Sequence, residues 1–243
     1  MIKKIQFKNI IFSNFNFREF EKIIIKKGYY TFPSAPGIVS INSSREYYNS
    51  LKNADYVFFD SGFFVLLLRM FKNIKVVRFS GYKFLYYFFI YLKKNKNKSI
   101  FCIDPNTKFS KSNKNFLRKK GLKRTYNYIA PHYGTKSLKD KKLLAKINKV
   151  NPDFILTNIG GGTQEILGLY LNKNLKKKPI ILCTGGAISF FTGDQAPINN
   201  FIDKFYLGWL VRLIFNPLIF IKRLIYALKL IPMVFFNKIK IKK

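Results

Sequence analysis

Three short segments of the chain carry side chains and glycines that could bind a phosphorylated ligand. They are FFDSG at residues 58–62, TNIGGGTQE at 157–165 and CTGGA at 183–187, and each includes or follows an apolar run typical of a buried strand. In open parallel sheets, ligands bind at the carboxyl ends of the strands. Glycines in such turns let backbone N–H groups approach phosphate oxygens, particularly where a helix begins. Three such turns favour a nucleotide or nucleotide-sugar site.

Other kinds of site have little support in the sequence. The chain has no G-x-G-x-x-G fingerprint, which argues against a dinucleotide-binding enzyme. His132 is the only histidine, so a Ser-His-Asp or Cys-His catalytic group would depend on that residue alone. Cys102 and Cys183 are the only cysteines, and each lies in an apolar run. We therefore expect buried thiols in a reducing compartment rather than a zinc site.

Strand-like and helix-like runs alternate along most of the chain and predict an α/β fold. We expect a Rossmann-like, mostly parallel sheet with helices on both faces, plus a C-terminal basic amphipathic helical appendage. The predicted strands are residues 3–12, 37–42, 56–59, 99–103, 126–130, 153–157 and 179–183, and residues 76–79 are predicted as a strand or an extended segment. Gly28 is expected to end a helix over 17–27. Residues 1–200 would form the α/β domain, in two halves joined by the basic segment near 93–98, and residues 201–243 the appendage.

The charge balance indicates anionic partners. The sequence has 45 Lys and Arg against 11 Asp and Glu, a formal net charge of +34. Such a charge raises the local concentration of anions, so nucleic acid, anionic lipid and phosphate ligands are the candidate partners. AT-rich coding is the alternative source of the lysine excess, because Asn, Ile, Phe and Tyr are abundant too.

The C-terminal segment combines apolar and basic residues. From Lys204 to Lys243 there are nine Lys or Arg and no Asp or Glu. Its uninterrupted apolar runs are far shorter than the roughly 20 residues that span a bilayer. Four basic residues fall within an arc of about 120° on a helical wheel, namely Arg212, Lys222, Arg223 and Lys229. We expect a pair of interfacial helices on an anionic membrane, broken at Pro217 and Pro232; a core helix with snorkelling lysines is the alternative.

The N-terminal residues favour action on the cytoplasmic side. Residues 1–14 carry positive charge but no long apolar run and no small-residue cleavage site. No signal peptide is therefore expected. Together with the basic C-terminal segment, this predicts a peripheral protein at the cytoplasmic face of the cell membrane.

Five segments, in their order and spacing, resemble the WecG/TagA/CpsF family of glycosyltransferases. They are ADYVFFDSGFF (54–64), VVRFSG (76–81), NPDFILTNIGGGTQE (151–165), TGGAISFFTGDQAP (184–197) and GWLVRLIFNPLIFIKR (208–223), within a similarity over roughly residues 35–225. The resemblance implies inverting transfer of a sugar from a UDP-sugar to an undecaprenyl-diphosphate-linked sugar. It places the reaction in cell-surface polysaccharide or teichoic acid synthesis. The donor stays open among an N-acetylmannosamine-type sugar, a hexose and a uronic acid.

The resemblance also assigns roles to single residues. Asp60 would be the general base that accepts the proton of the attacking hydroxyl; the alternative is a helix cap. Arg78 would face substrate phosphate, and Arg212 and Arg223 the acceptor diphosphate. The other assigned substrate-binding residues are Ser40, Asn42, Gly81, Gly161, Gly162, Gln164, Glu165, Gly185 and Gly186. We expect Asp60, Arg78, Asn42 and Gln164 to converge on one cleft, because each is predicted to lie at or just after a strand exit.

No cofactor is expected. The sequence lacks an Asp-x-Asp pair of the kind that many nucleotide-sugar enzymes use to hold a divalent ion. Cationic side chains and backbone N–H groups would then have to stabilise the UDP leaving group. A metal-independent reaction is therefore expected.

The chain departs from the family pattern at several positions, which keeps two alternatives open. Lys83 lies near a usual Asp, Gly162 and Thr163 replace a Pro-Lys pair, Gln195 replaces an Arg, and Asp104-Pro105-Asn106 replaces a glycine-rich turn. An inactive family member that acts as a partner subunit is therefore one alternative. A basic nucleic-acid-binding protein is the other, although no RRM, KH or zinc-finger pattern is present. We expect no nucleic-acid partner, and a homo-oligomer is left open.

Overall fold

Nine strands form one mixed sheet within the part of the chain that the structure describes. The computed structural model describes residues 3–134, 138–195, 208–215 and 217–242. The strands are β1 (Lys3–Phe7), β2 (Ile10–Asn14), β3 (Gly28–Thr31), β4 (Tyr56–Phe58), β5 (Ile100–Asp104), β6 (Thr125–Ile129), β7 (Phe154–Thr157), β8 (Ile180–Cys183) and β9 (Ile239–Lys242). Their order is β6-β5-β7-β8-β3-β4-β2-β1-β9. Strands β2 to β8 are parallel, and β1 is antiparallel to both neighbours. The predicted α/β fold with a mostly parallel sheet is confirmed.

Helices cover both faces of this sheet. They are α1 (Phe20–Ile24), α2 (Ala35–Ser40), α3 (Arg45–Lys52), α4 (Gly62–Lys72), α5 (Gly81–Lys94), α6 (Thr107–Lys119), α7 (Lys141–Val150), α8 (Thr163–Asn174), α9 (Ser189–Thr192), α10 (Gly208–Phe215), α11 (Pro217–Leu228) and α12 (Leu230–Phe236). Buried side chains of α1, α5 and α6 share one apolar cluster. A second cluster joins α2, α3, α4 and α12, and a third joins α7 and α8. These layers fix the strand exits relative to one another.

The N-terminal region contains two more strand segments than the sequence predicted. The expected single strand over 3–12 is a hairpin, because Lys8 and Asn9 take positive φ angles of 46° and 61° and turn the chain. Gly28, expected to stop a helix, instead begins β3, which lies between β8 and β4. This short, fully buried strand joins the strands from β6 to β8 on one side of it to the strands from β4 to β9 on the other.

The segment predicted as a strand over 37–42 is helical, so that prediction is wrong. The Ser34 hydroxyl accepts a hydrogen bond of 3.4 Å from the backbone N–H of Gly37 and caps α2. Pro36 lies in the first turn, where its missing N–H costs no helical hydrogen bond. Ile38 and Val39 are buried against the second apolar cluster, so packing overrides their preference for strands. Residues 76–79 form no strand, although the N–H of Phe79 donates a hydrogen bond of 3.0 Å to the backbone oxygen of Phe59.

The end of the chain is part of the main domain. Leu230 and Val234 of α12 are completely buried, and β9 pairs with β1 along the sheet edge. Pro232 lies in the first turn of α12 and does not break it, whereas Pro217 begins α11 as a helix start. From about Ala227 onward, the predicted appendage therefore packs with the α/β domain. That its earlier part forms a separate unit stays a prediction. Among the helices built from described residues, none has the length and apolar character needed to cross a bilayer.

Candidate active site

The carboxyl ends of four adjacent strands, β7, β8, β3 and β4, form the candidate site. The turns that leave β4, β7 and β8 are those singled out in the sequence, and the turn that leaves β3 lies between two of them. This turn carries Ser34, which the sequence analysis missed because β3 was not predicted. The polar and glycine-rich segments therefore meet at one edge of the sheet, as expected for parallel strands.

Asp60 is fixed at the exit of β4 by contacts with the segment that leads into α5. Its Oδ1 accepts a hydrogen bond of 2.9 Å from the backbone N–H of Gly81, the first residue of α5. Its backbone carbonyl accepts a hydrogen bond of 2.8 Å from Nε of Arg78. The cap of α4 is not Asp60 but Ser61, whose hydroxyl accepts from the N–H of Phe64 at 3.1 Å. Asp60 therefore does not cap α4, and its half-buried carboxylate is held against the start of α5.

Gln164 joins the exits of β7 and β8. Its Oε1 accepts hydrogen bonds of 2.6 Å from the N–H of Gly185 and 3.2 Å from the hydroxyl of Thr157, and its Nε2 donates to Glu165 at 2.9 Å. The side chain is 4% exposed. Gly185 has φ of +58°, a conformation that favours glycine at the turn that Gln164 holds. Gln164 thus shapes the floor of the site.

Glu165 is buried and organises the glycine-rich turn. Its Oε2 accepts a hydrogen bond of 2.6 Å from the N–H of Gly162, a residue with φ of +90°, and so closes the start of α8. Burial is the largest cause of the raised pKa of Glu165, about 7, and the charge of Asp60 raises that pKa further. Hydrogen bonds from Gly162 and Gln164 lower it. The two carboxylates therefore interact electrostatically across the site.

The two parts of the site are joined through Gly81. A methyl group on Gly81 would lie 3.4 Å from the backbone oxygen of Thr184, so α5 starts against the exit of β8. Asp60, Gly81, Thr184 and Gln164 are then linked by successive contacts. The structure brings together Asp60, Arg78, Gly81, Gly162, Gln164, Glu165 and Gly185, and Gly161 and Gly186 are neighbours in the same turns.

The chain matches a known protein family. A family model described as the glycosyl transferase WecG/TagA/CpsF family matches residues 5–243. The chain belongs to this family. One similar protein is the N-acetylglucosaminyldiphosphoundecaprenol N-acetyl-beta-D-mannosaminyltransferase of Bacillus subtilis (strain 168), 24% identical over 174 residues. The matched segment covers 71% of this chain and 66% of that relative, so the chain spans just under two thirds of the relative's length.

Ser40 and Asn42, two further residues assigned by resemblance to the WecG/TagA/CpsF family, lie elsewhere. The Ser40 hydroxyl donates to the backbone oxygen of Pro36, and the Asn42 amide contacts Nζ of Lys8 at 2.8 Å and Sδ of Met233 at 3.3 Å. Asn42 follows a helix and not the predicted strand, and its exposed side chain lies beside Met233 of α12. The exit of β3, a strand that the sequence analysis did not predict, carries Ser34. Substrate-binding roles for Ser40 and Asn42 stay predictions.

The arginines of the C-terminal segment are only partly described. The Arg212 side chain lies outside the described residues, as do Ala196, Pro197 and Lys243. The Arg223 guanidinium is exposed and lies 5.5 Å from the centre of the Phe220 ring on α11. Helix α11 packs against α2. Roles for Arg212 and Arg223 at the acceptor diphosphate stay predictions.

Tyr47 is a member of the site that sequence reasoning did not find. It is 2% exposed, and its hydroxyl would lie 2.6 Å from a methyl group on Gly37. Burial raises its pKa, and the charges of Glu165 and Asp60 add to that rise. Its hydroxyl is therefore within electrostatic reach of both carboxylates. No local pattern signals this position, which depends on the packing of α3 against α8.

A buried polar cluster lies at the end of β5, where the chain departs from the family's glycine-rich turn. Asp104 is completely buried and accepts hydrogen bonds from the amides of Asn113, Asn127 and Asn158 at 2.7, 2.7 and 2.8 Å. These asparagines, the last of which follows Asp104 by 54 residues, gave no signal in the sequence. The cluster fixes the ends of β5, β6 and β7 beside the glycine-rich turn.

A cleft of about 990 Å³ lies beyond β6. Its lining includes Asn127, Tyr133 and the exposed His132, and its rim carries four lysines, Lys139, Lys141, Lys142 and Lys146. Among the described residues, no group of three or more His, Cys, Asp or Glu side chains is arranged to hold a metal ion. The described groups at this edge include backbone N–H groups, amides, lysines and a few carboxylates.

Proposed function

We propose that the protein transfers a sugar from a UDP-sugar to an undecaprenyl-diphosphate-linked sugar, with Asp60 as general base. The Bacillus subtilis relative is named for the transfer of N-acetyl-β-D-mannosamine to N-acetylglucosaminyldiphosphoundecaprenol. We extend both substrates to this chain. The product would serve the synthesis of a cell-surface polymer.

One observation carries the proposal more than any other. The Asp60 carboxylate is held at a strand exit by the N–H of Gly81 and lies beside the glycine turns that leave β7 and β8. A fixed carboxylate next to turns suited to phosphate is the arrangement that a sugar transfer from a nucleotide needs. The interaction between Asp60 and Glu165 supports a shared site for these elements.

The proposed reaction is a single displacement. The acceptor hydroxyl oxygen attacks the anomeric carbon of the donor, and its proton passes to a carboxylate oxygen of Asp60. The bond between the anomeric carbon and the diphosphate oxygen breaks, and UDP leaves with the electron pair. Attack from the side opposite the leaving group inverts the configuration. Arg78 and the N–H groups of the glycine turns oppose the negative charge that develops on UDP.

In the proposed complex, the donor lies along this edge of the sheet, with its diphosphate and its uridine at different strands. Its diphosphate would lie at the turns of Gly160–Gly162 and Gly185–Gly186, next to Asp60. The cleft beyond β6 is two strand spacings from β7, or about 10 Å. This leaves room for the uridine near Asn127 and Tyr133, with the rim lysines facing its phosphates.

We propose that the transfer needs no metal ion. The N–H groups and cations just described take the part that a divalent ion plays in other nucleotide-sugar enzymes. EDTA should therefore leave the rate unchanged, whereas a rate restored only by added Mg²⁺ or Mn²⁺ would overturn this part of the proposal.

The acceptor places the reaction at a membrane, and α11 presents a face suited to it. Leu218, Ile221, Ile225 and Leu228 recur at helical spacing and are all exposed. Lys222, Arg223 and Lys229 are exposed as well, and no acid occurs after residue 203. We propose that α10 and α11 lie on the cytoplasmic surface of the membrane.

A transfer assay tests the function directly. The purified protein is incubated with UDP-N-acetylmannosamine and a short-chain lipid-diphosphate-N-acetylglucosamine in detergent, and the product is identified by mass. A product heavier by one N-acetylhexosamine supports the proposal. A panel of other UDP-sugars distinguishes a different donor. The absence of transfer with every donor, from a folded protein, would favour the inactive-subunit alternative.

A further inference from the structure

A second exposed apolar surface lies away from α10 and α11. It consists of Leu66, Met70 and Phe71 on α4 and of Phe235 and Phe236 on α12, and is called the α4–α12 patch below. Met70 is 64% exposed and Phe236 is 79% exposed. Large apolar side chains that are this exposed and adjacent mark an interaction surface more often than isolated ones do.

The patch is a rigid part of the domain. The rings of Phe71 and Phe235 meet edge to face with centroids 5.4 Å apart, and Nζ of Lys72 donates a hydrogen bond of 2.8 Å to the backbone oxygen of Phe235. Leu230 and Val234 anchor α12 in the core beneath. The exposed side chains are therefore presented by two packed helices and not by a loose end of the chain.

The two segments of the chain that carry the patch have charges of only one sign. Arg69, Lys75 and Lys238 are exposed beside it, and Lys72 is partly exposed. The sequence contains no Asp or Glu from residue 62 to residue 103 or from residue 204 to residue 243. A second copy of this chain would bring the same basic rim against it and would be repelled. An anionic bilayer offers both an apolar interior and the opposite charge.

We propose that the α4–α12 patch is a membrane-contact surface that inserts its apolar side chains among anionic lipids, in addition to α10 and α11. The patch lies at the C-terminal end of α4, whereas the N-terminal end of that helix, Gly62, follows closely on Asp60 in the site. The eleven residues of α4 separate its two ends by about 16 Å. The proposal rests on the proposed function only in that the acceptor is borne by a membrane.

Vesicle flotation tests this surface in the full-length protein. Met70→Glu with Phe236→Glu should lower binding to phosphatidylglycerol-containing vesicles by at least about tenfold, because two charges replace inserted apolar groups. The control is Ile25→Glu with Tyr126→Glu, which makes the same charge change at two other exposed apolar positions. It should bind as the parent does. Pure phosphatidylcholine vesicles should bind the parent more weakly.

Three further readouts make the outcome unambiguous. Thermal melting identifies variants that fail to fold, and Met70→Ser with Phe236→Ser provides a milder replacement. Unchanged flotation of the folded patch variants would overturn the proposal. Unchanged flotation with an altered sedimentation coefficient would assign the patch to contact between copies instead. Transfer in detergent with a short-chain acceptor should be unaffected, so a failure of the proposed function would appear in that assay for the parent and not in flotation.

Discussion

The Asp60 carboxylate accepts a hydrogen bond of 2.9 Å from the backbone N–H of Gly81, which fixes the end of β4 to the start of α5. The positive end of the α5 dipole is thereby placed next to an acid that the proposed reaction needs in its anionic form. The same glycine contacts the exit of β8. One hydrogen bond thus relates the proposed base to the turns where the donor diphosphate would lie.

Replacing Asp60 with Asn should remove catalysis and keep the fold. The Asn side-chain oxygen can still accept from Gly81, but the amide cannot take a proton from the acceptor. We expect the turnover rate to fall by about 10²–10⁴-fold, with little change in melting temperature. Glu46→Gln, which removes an exposed carboxylate of α3, is the matched control. A rate within a few-fold of the parent for Asp60→Asn would exclude Asp60 as the base.

Glu165 should make the stability of the protein fall as pH rises. Burial, together with the charge of Asp60, raises its pKa from an ordinary 4.5 to about 7. Between these values the folded state binds more protons than the unfolded state, so the free energy of unfolding decreases with rising pH and levels off above about pH 7. The loss over this window is on the order of 3 kcal/mol.

Urea unfolding at a series of pH values measures this effect. Glu165→Gln should lower stability at every pH, because its amide cannot accept from both Gly162 and Gln164, but should lack the decrease between pH 4.5 and 7. In Asp60→Asn the decrease should end at a lower pH. The same pH slope in the parent and in Glu165→Gln would contradict the assignment.

The strand exits could be predicted from the sequence because glycine and polar residues interrupt apolar runs at the ends of β4, β7 and β8. The exit of β3 could not, since the four residues Gly28–Thr31 give too short a pattern, and the GIVSI run of α2 has strand-like composition. The resemblance assigned Ser40 and Asn42 to substrate binding, and the wrong strand prediction placed Asn42 at a strand exit and left Ser34 out. Tyr47 and the cluster around Asp104 depend on contacts between distant segments, which no local spacing reveals.

In the C-terminal segment, a pattern typical of a membrane anchor overlaps with a pattern typical of a strand. Its lysines and apolar residues were interpreted together as a membrane anchor, and α11 is consistent with that interpretation. The alternation of Ile239 and Ile241 with lysines also fits a strand, and β9 forms there. The burial of Leu230 and Val234 is decided by the space between α2 and α4, which the sequence does not display.

Leu230 should therefore contribute to the stability of the whole domain. Leu230→Ala is expected to lower the free energy of unfolding by about 2–5 kcal/mol, since it leaves a cavity in the core. Leu228→Ala, two positions earlier and 49% exposed, should change it by less than about 0.5 kcal/mol. Chemical unfolding of the two variants makes the comparison. Equal, small effects would mean that α12 is not packed on the domain.

The exposed face of α11 should matter for the membrane-borne acceptor and not for chemistry. Leu218→Glu with Ile225→Glu places two charges on the apolar stripe and should reduce transfer to a polyprenyl-diphosphate acceptor in anionic vesicles by at least about tenfold, because burial of both side chains is lost. Transfer to a short-chain acceptor in detergent should change by less than about twofold, since both side chains are exposed. Ile25→Glu with Tyr126→Glu again controls for added charge. Equal losses in both assays would place α11 in the active site instead of on the membrane, and no loss in either would leave the apolar stripe without a role in reaching the acceptor.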